Sequence, residues 1–287
     1  MAYEQYRPNS FRSLPLVVKN LLILNVLVYL VSQIESYFFN INLTDILGLH
    51  FPLSEKFHLY QLITCMFMHD QTSLFHILFN MFALLMFGKI LESVWGPKRF
   101  LFFYIVTGIG AGLLHSTVSY YENKPAIDFI NSYIQNPDLN DFNVFLGQFK
   151  PNSMDLVNHY NAVIPTAFNN ALSNNNIPEA LKISVDYMQT YKIDFPNSLP
   201  PAIGASGAIF GILVAFGMLF PNTELYLMFI PIPIKAKYAV ILYGVIELFM
   251  GVARFSWDNI AHFAHLGGAL FGFILVKYWQ KGGKNFY

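Results

Sequence analysis

The sequence predicts an all-α, polytopic membrane protein: a bundle of six transmembrane helices with a partly embedded first loop. Three observations carry this. Hydrophobic residues make up 55% of the 287 and charged residues only 12%, about half the charge fraction of an ordinary soluble domain. The apolar residues gather into long runs. Six of those runs each supply roughly the 20 residues that a bilayer crossing needs. The formal net charge of zero gives no reason to expect a nucleic-acid partner; the lipid bilayer itself is the expected surrounding.

The elements follow in chain order. The stretch from Met1 to Pro15 is polar. The first apolar run, at about 18–37, is too long for the core of a secretory signal and lacks a small-residue cleavage pattern, so a retained span is expected. Segment 38–73 is apolar but broken by Pro52 and several polar residues, which suits a partly embedded loop. The remaining spans are expected at about 74–91, 99–119, 204–220, 237–253 and 259–278. The single cysteine, Cys65, cannot form an internal disulfide and reads as a packed thiol.

This divides the chain into three parts. Residues 1–119 hold the N-terminal tail, spans one to three and the first loop. Residues 204–287 hold spans four to six and the C-terminal tail. Between them, 120–203 is rich in Asn, Asp and Pro and carries eight acids against four lysines. It contains two amphipathic stretches, Pro125–Tyr133 and Pro178–Tyr191; around the first, Ile127, Ile130 and Ile134 recur at helical spacing. A soluble, mostly helical insertion is expected, either a solvated decoration or a substrate-handling cap. Charge sets the sides: with the N-terminus inside, eleven Lys and Arg fall inside and two outside, leaving aside the four lysines of the long insertion. Cytoplasmic termini and an extracytoplasmic insertion follow. The expected membrane is a bacterial inner (plasma) membrane.

Polar groups within spans are costly, so each needs a partner or a task. Three sets stand out. Gly204-Ala205-Ser206-Gly207 opens the fourth span, with Gly211 one turn on. Its small residues suit a helix–helix contact. They equally suit a serine hydroxyl exposed at a helix N-terminus, beside free N–H groups able to stabilise an oxyanion. In the sixth span, His262 and His265 project to similar sides of a helix. Gly267, Gly268 and Gly272 follow, and the Gly268–Gly272 spacing permits close approach of a neighbouring helix. If that neighbour is span four, His265 can reach Ser206 as a general base. At the start of span two, His76 and Asn80 sit one turn apart, and both can donate hydrogen bonds to an oxyanion or simply join helices. All three sets fall at similar depth, just below the outer surface. No acidic third member is evident at that depth; Asp258 lies near the surface. A zinc site on His76, His262 and His265, perhaps with His69, is the main rival chemistry. It leaves the glycines around Ser206 unexplained, so neither metal nor cofactor is expected.

Together these residues resemble the rhomboid family. Gly204-Ala205-Ser206-Gly207 is similar to its nucleophile motif, Ala264-His265-Leu266-Gly267-Gly268 to its sixth-span histidine motif, and His76-Ile77-Leu78-Phe79-Asn80 to its oxyanion motif. The resemblance covers nearly all of the chain outside 120–203. It implies a rhomboid-like bundle, a Ser206–His265 catalytic dyad, and an oxyanion hole from His76, Asn80 and the Ser206 N–H. The reaction implied is cleavage of transmembrane segments of single-span membrane proteins near the outer face. Gly204, Gly207, Gly268, Gly272 and His262 are implied as supporting residues. Phe210, one turn after Ser206, stands where the family places an aromatic against the catalytic imidazole. Glu92, Trp95, Gly96 and Arg99 read as structural. The alternative within the resemblance is a catalytically inactive relative that binds or chaperones membrane proteins.

Overall fold

A computed structural model describes residues 14–148, 164–226, 233–253 and 260–281. Arg7, Arg12, Arg254, Asp258 and Lys284, used above for sidedness or considered as an acid, lie outside the described residues.

The expected spans are all helical. Helix α1 covers Leu16–Phe39. Two short helices, α2 (Leu43–Leu47) and α3 (Gln61–Thr64), punctuate the first loop, and a 3₁₀ turn at Cys65–Phe67 follows α3. Span two is α4 (Leu74–Ala83), a π-helical turn at Leu84–Gly88, and α5 (Lys89–Trp95). Helix α6 runs over Pro97–Gln135, continuous through Pro125. In the insertion, α7 is Leu139–Gln148, α8 is Ile164–Ser173 and α9 is Ile177–Ser198. Helix α10 is Ser206–Leu219, and an antiparallel strand pair, β1 (Glu224–Tyr226) and β2 (Pro233–Lys235), precedes α11 (Ala236–Ala253). Helix α12 is His262–Lys281. The strand pair is a small addition to an otherwise helical architecture.

Among the described residues, four helical stretches are long and apolar enough to cross a membrane: Leu16–Phe39, Leu74–Trp95, Pro97–Gln135 and Ala236–Ala253. Helix α10 is apolar but has only 14 residues, about 21 Å at 1.5 Å per residue against a hydrocarbon core of about 30 Å. Its burial explains why a short helix suffices. Gly207, Ala208, Gly211, Ile212, Ala215 and Phe216 are all buried, so it faces protein on most sides. Helix α11 is the opposite: only 17% of its best 18-residue window is buried.

The chain divides into two compact units. The first holds residues up to Leu49, His58–Ser116 and everything from Ala202 on. The second holds His50–Phe57 with Thr117–Pro201. In the first unit, Glu92 is buried, and its carboxylate accepts the backbone N–H of Val17 at 2.9 Å and of Val18 at 2.7 Å. These are donors that the first turn of a helix leaves unpaired, so Glu92 caps α1 from span two. Trp95 and Trp279 meet edge to face at 5.3 Å, with the Arg99 guanidinium 5.4 Å from the Trp279 ring centre. The second unit packs around a buried core that includes Ile130, Phe142, Phe145, Phe168, Tyr187 and Tyr191. Asn197 Oδ1 accepts from Ser54 Oγ at 2.6 Å and from the Glu55 N–H at 3.0 Å, binding loop residues 50–57 to the insertion's own helices.

Candidate active site

Helices α10 and α12 approach through glycine. A Cβ on Gly268 would fall on the Gly207 carbonyl, and one on Gly272 would lie 2.8 Å from the Gly211 Cα. On α10, a Cβ on Gly207 would crowd Ala111, and one on Gly211 would meet Thr107 at 2.7 Å. No side chain larger than hydrogen fits where backbone meets backbone.

That approach brings Ser206 and His265 together: Ser206 Oγ lies 2.8 Å from His265 Nε2. Phe210 stacks on the His265 imidazole, with centroids 4.3 Å apart and planes inclined by 8°. The segment entering α10 is fixed from below by the first loop. Leu49 and Ala202 exchange two backbone hydrogen bonds of 2.9 Å, and the Gly204 N–H donates to the Cys65 carbonyl at 2.9 Å. Gly204 has φ +124°, a backbone region essentially reserved for glycine, and this turn delivers Ser206 as the first residue of α10.

His76 sits over the same turn. A Cβ on Gly204 would lie 2.9 Å from His76 Nε2 and 3.3 Å from Ser206 Oγ. The Asp70 N–H donates to His76 Nδ1 at 3.1 Å. A neutral His76 therefore carries its proton on Nε2, the nitrogen that lies against the Gly204 turn. The loop that supplies this donor is itself tied: Asp70 Oδ1 accepts from the Thr72 N–H at 2.8 Å and from Thr72 Oγ at 2.7 Å. Asn80 is buried and donates from Nδ2 to the His76 carbonyl at 2.8 Å. His69 lies beside His76, rings 5.3 Å apart; burial, with His76 adding to it, pushes its imidazole down to about 4. Burial pushes the Cys65 thiol up to about 12, as a packed thiol requires.

Sequence reasoning passed over one residue. Glu247 on α11 reaches both histidines of α12: its Oε2 lies 2.9 Å from His265 Nδ1 and 2.6 Å from His262 Nδ1. An acidic group is thus present at this depth, contrary to the sequence reading. The signal was available, since Glu247 is a lone carboxylate inside the apolar run from Tyr238 to Val252, and such a residue is a functional-site candidate by default. Gly251, one turn further, makes room for the contact: a Cβ there would lie 3.1 Å from the His262 Cβ.

Comparison with known proteins identifies the family. The rhomboid-domain family model matches residues 56–130 and 181–281, more than half of the chain. Rhomboid protein 1, mitochondrial, of Saccharomyces cerevisiae is 37% identical over 81 residues, 28% of this chain and 23% of that protein. The presenilin-associated rhomboid-like protein, mitochondrial, of Homo sapiens is 37% identical over 85 residues, 28% of this chain and 21% of that protein. Its Danio rerio counterpart A is 33% identical over 88 residues, 29% and 23%. The match thus spans less than a quarter of these curated relatives. They are eukaryotic proteins named as mitochondrial, which overturns the expected bacterial plasma membrane. The physical reason is simple: counting lysines and arginines distinguishes the two sides of a bilayer, not one bilayer from another. With a family model matched over most of its length and a helical bundle to carry it, the chain belongs to the rhomboid family.

Proposed function

We propose that this chain is an intramembrane serine endopeptidase acting in a mitochondrial membrane, as the names of its relatives suggest. The observation that carries the reading is the 2.8 Å separation of Ser206 Oγ and His265 Nε2. In the proposed reaction, His265 Nε2 takes the Ser206 proton as the oxygen attacks the scissile carbonyl. The imidazolium then gives that proton to the leaving amine. Water, deprotonated by the same nitrogen, hydrolyses the acyl-enzyme and restores Ser206.

The oxyanion falls to three donors: the Ser206 N–H at the α10 N-terminus, His76 Nε2 and the Asn80 amide. Two facts support this. His76 Nδ1 is occupied by the Asp70 N–H, so a neutral His76 donates from Nε2, which lies against the Gly204 turn that leads into Ser206. The Asn80 amide has a second hydrogen beyond the one given to the His76 carbonyl. Loss of one such donor typically costs a factor of about 10²–10³ in turnover. The substrates are single-span membrane proteins. A fully hydrogen-bonded helix hides its carbonyls, so cleavage falls at a helix-destabilised site near the membrane surface. Residues 120–203 are proposed to form a soluble, mostly helical domain of their own.

The test is processing of a single-span reporter by the purified chain, with fluorophosphonate labelling in parallel. Cleavage and labelling are expected in the wild type and absent in Ser206→Ala and His265→Ala. Reporter cleavage that persists in purified Ser206→Ala rejects the reading.

A further inference from the structure

We infer that Glu247 is a positioning residue for the hydrolytic site: from the fifth span it fixes the tautomer and orientation of His265, with His262 as its second anchor. The inference rests on the protease reading above and adds a fourth span to the site, beside spans two, four and six.

The argument starts from hydrogen-bond inventory. A carboxylate only accepts. Glu247 Oε2 lies 2.9 Å from His265 Nδ1, so that nitrogen must carry the proton. The opposite nitrogen, Nε2, is then bare and faces Ser206 Oγ at 2.8 Å. It is the tautomer that a base for Ser206 requires. The other tautomer would turn an N–H toward the serine and leave a lone pair against a carboxylate. Phe210 restrains the ring from its face, and Glu247 fixes the in-plane rotation that stacking leaves free.

His262 explains how the carboxylate stays in place. Its Nδ1 donates to the same Oε2 at 2.6 Å. His262 and His265 lie one turn apart on α12 and share a face, so one oxygen on the facing helix can reach both. A carboxylate within a span is costly unless partnered, and two N–H donors supply that partnership. The lightly buried α11 makes the tie more telling, because few other contacts constrain where Glu247 sits. Other titratable groups face His265 from the surrounding helices: His76 on α4 and His115 on α6. Among these groups Glu247 alone offers an acceptor that is anionic.

A metal ion on Glu247, His262 and His265 is the competing explanation, since their ligand atoms all lie within 4.8 Å of one another. The separations decide against it. Zinc bonds of about 2.0–2.1 Å set tetrahedral ligand atoms about 3.3–3.4 Å apart. The observed 2.6 and 2.9 Å are hydrogen-bond lengths.

The experiment uses the full-length purified chain in lipid, as wild type, Glu247→Gln, Glu247→Asp and Ser206→Ala. It reads kcat and KM on the single-span reporter, and the nitrogen-15 shifts of His265 in histidine-labelled protein. Glu247→Gln is expected to lower kcat by about 10²–10⁴-fold, the range for displacing a catalytic histidine's tautomer, with KM unchanged. The His265 shifts are expected to move from a pure Nδ1–H pattern to a mixture. Glu247→Asp keeps the charge and is expected to recover at least about tenfold of the lost kcat. A merely structural residue would lower the active fraction without changing the tautomer. The inference is overturned if Glu247→Gln keeps kcat within about threefold, or if wild-type His265 is protonated at Nε2. Should Glu247→Gln fail to fold, the wild-type and Glu247→Asp spectra still decide it. Failure of the protease reading looks different: the wild type would not cleave, or Ser206→Ala would cleave equally.

Discussion

The α10–α12 contact and the core of the insertion are both buried helix packing, yet they are built from opposite residues. In the first, glycine faces glycine: Gly268 against the Gly207 carbonyl and Gly272 against Gly211. In the second, aromatic rings fill the space. Phe142 meets Phe168 edge to face at 4.9 Å, and Phe145 meets Tyr191 at 5.2 Å. The difference is the one expected if the first contact lies in lipid and the insertion, as proposed, in water. In lipid, burying a large apolar side chain against another helix gains little, because the lipid is equally apolar; close backbone approach is what remains to be gained. In water, area removed from solvent is the main driving force, and aromatic residues supply the most area per residue. The chain uses lipid-type packing where a serine must be set against a histidine, and water-type packing where a fold must be held.

The sharpest way to break this comparison is to put a side chain into the glycine contact. In Gly268→Ala the new methyl falls on backbone, which cannot rotate away. The cost should exceed the ~1–3 kcal/mol of ordinary overpacking and abolish fluorophosphonate labelling of Ser206. Gly244 on α11 is the matched control, with nothing within 4 Å of its Cβ position. Gly244→Ala should stay within ~1 kcal/mol of the wild type and label normally. Equal labelling by both variants would show that the contact is not what sets Ser206 against His265.

The second break is on the water side. Phe142 is fully buried among rings. Phe142→Ala should destabilise the insertion by ~3–5 kcal/mol, the usual range for such a truncation. Hydrogen exchange of amides in α9 reports this directly. Loss of protection there, with the α10 amides unchanged, is the expected pattern; unchanged protection in α9 would mean that the aromatic cluster does not hold the second unit.

Much of this was readable before any coordinates. The spans follow from the length of apolar runs, since a bilayer imposes one length on every crossing. Ser206, His265 and His76 stood out because polar groups in spans are expensive, and the spacing of Gly268 and Gly272 indicated that some helix packs closely there, without saying which. Three things were not legible. Helix α6 continues through Pro125, although Glu122-Asn123-Lys124-Pro125 carries the usual marks of a loop. The strand pair at Glu224–Tyr226 and Pro233–Lys235 is too short for an alternating pattern to register. Glu247 could be noticed as a lone carboxylate in an apolar run, but its partners could not, because they lie on another helix and α11 carries no motif that announces them. Periodicity describes one helix at a time; a contact that depends on the rotation of two helices about their axes is invisible to it.

The smallest effect sharpens the comparison most finely, because it asks what polar atoms do in the water-type core. Tyr133 and Ser184 are both buried there, with their oxygens 2.6 Å apart. Ser184 Oγ also donates to the Leu181 carbonyl at 2.8 Å. A hydroxyl has one hydrogen, so the Tyr133 hydroxyl must be the donor to Ser184. Tyr133→Phe removes that donor and leaves the serine's own bond intact, and should cost ~0.5–1.5 kcal/mol. Ser184→Ala strands a buried tyrosine O–H with no acceptor and should cost more, ~1–3 kcal/mol. The double variant removes both ends and should cost less than the two single losses added together. Stability of the insertion across the four proteins, read by hydrogen exchange, measures the cycle. Additive losses would mean that the two hydroxyls act separately and that shape alone holds this core.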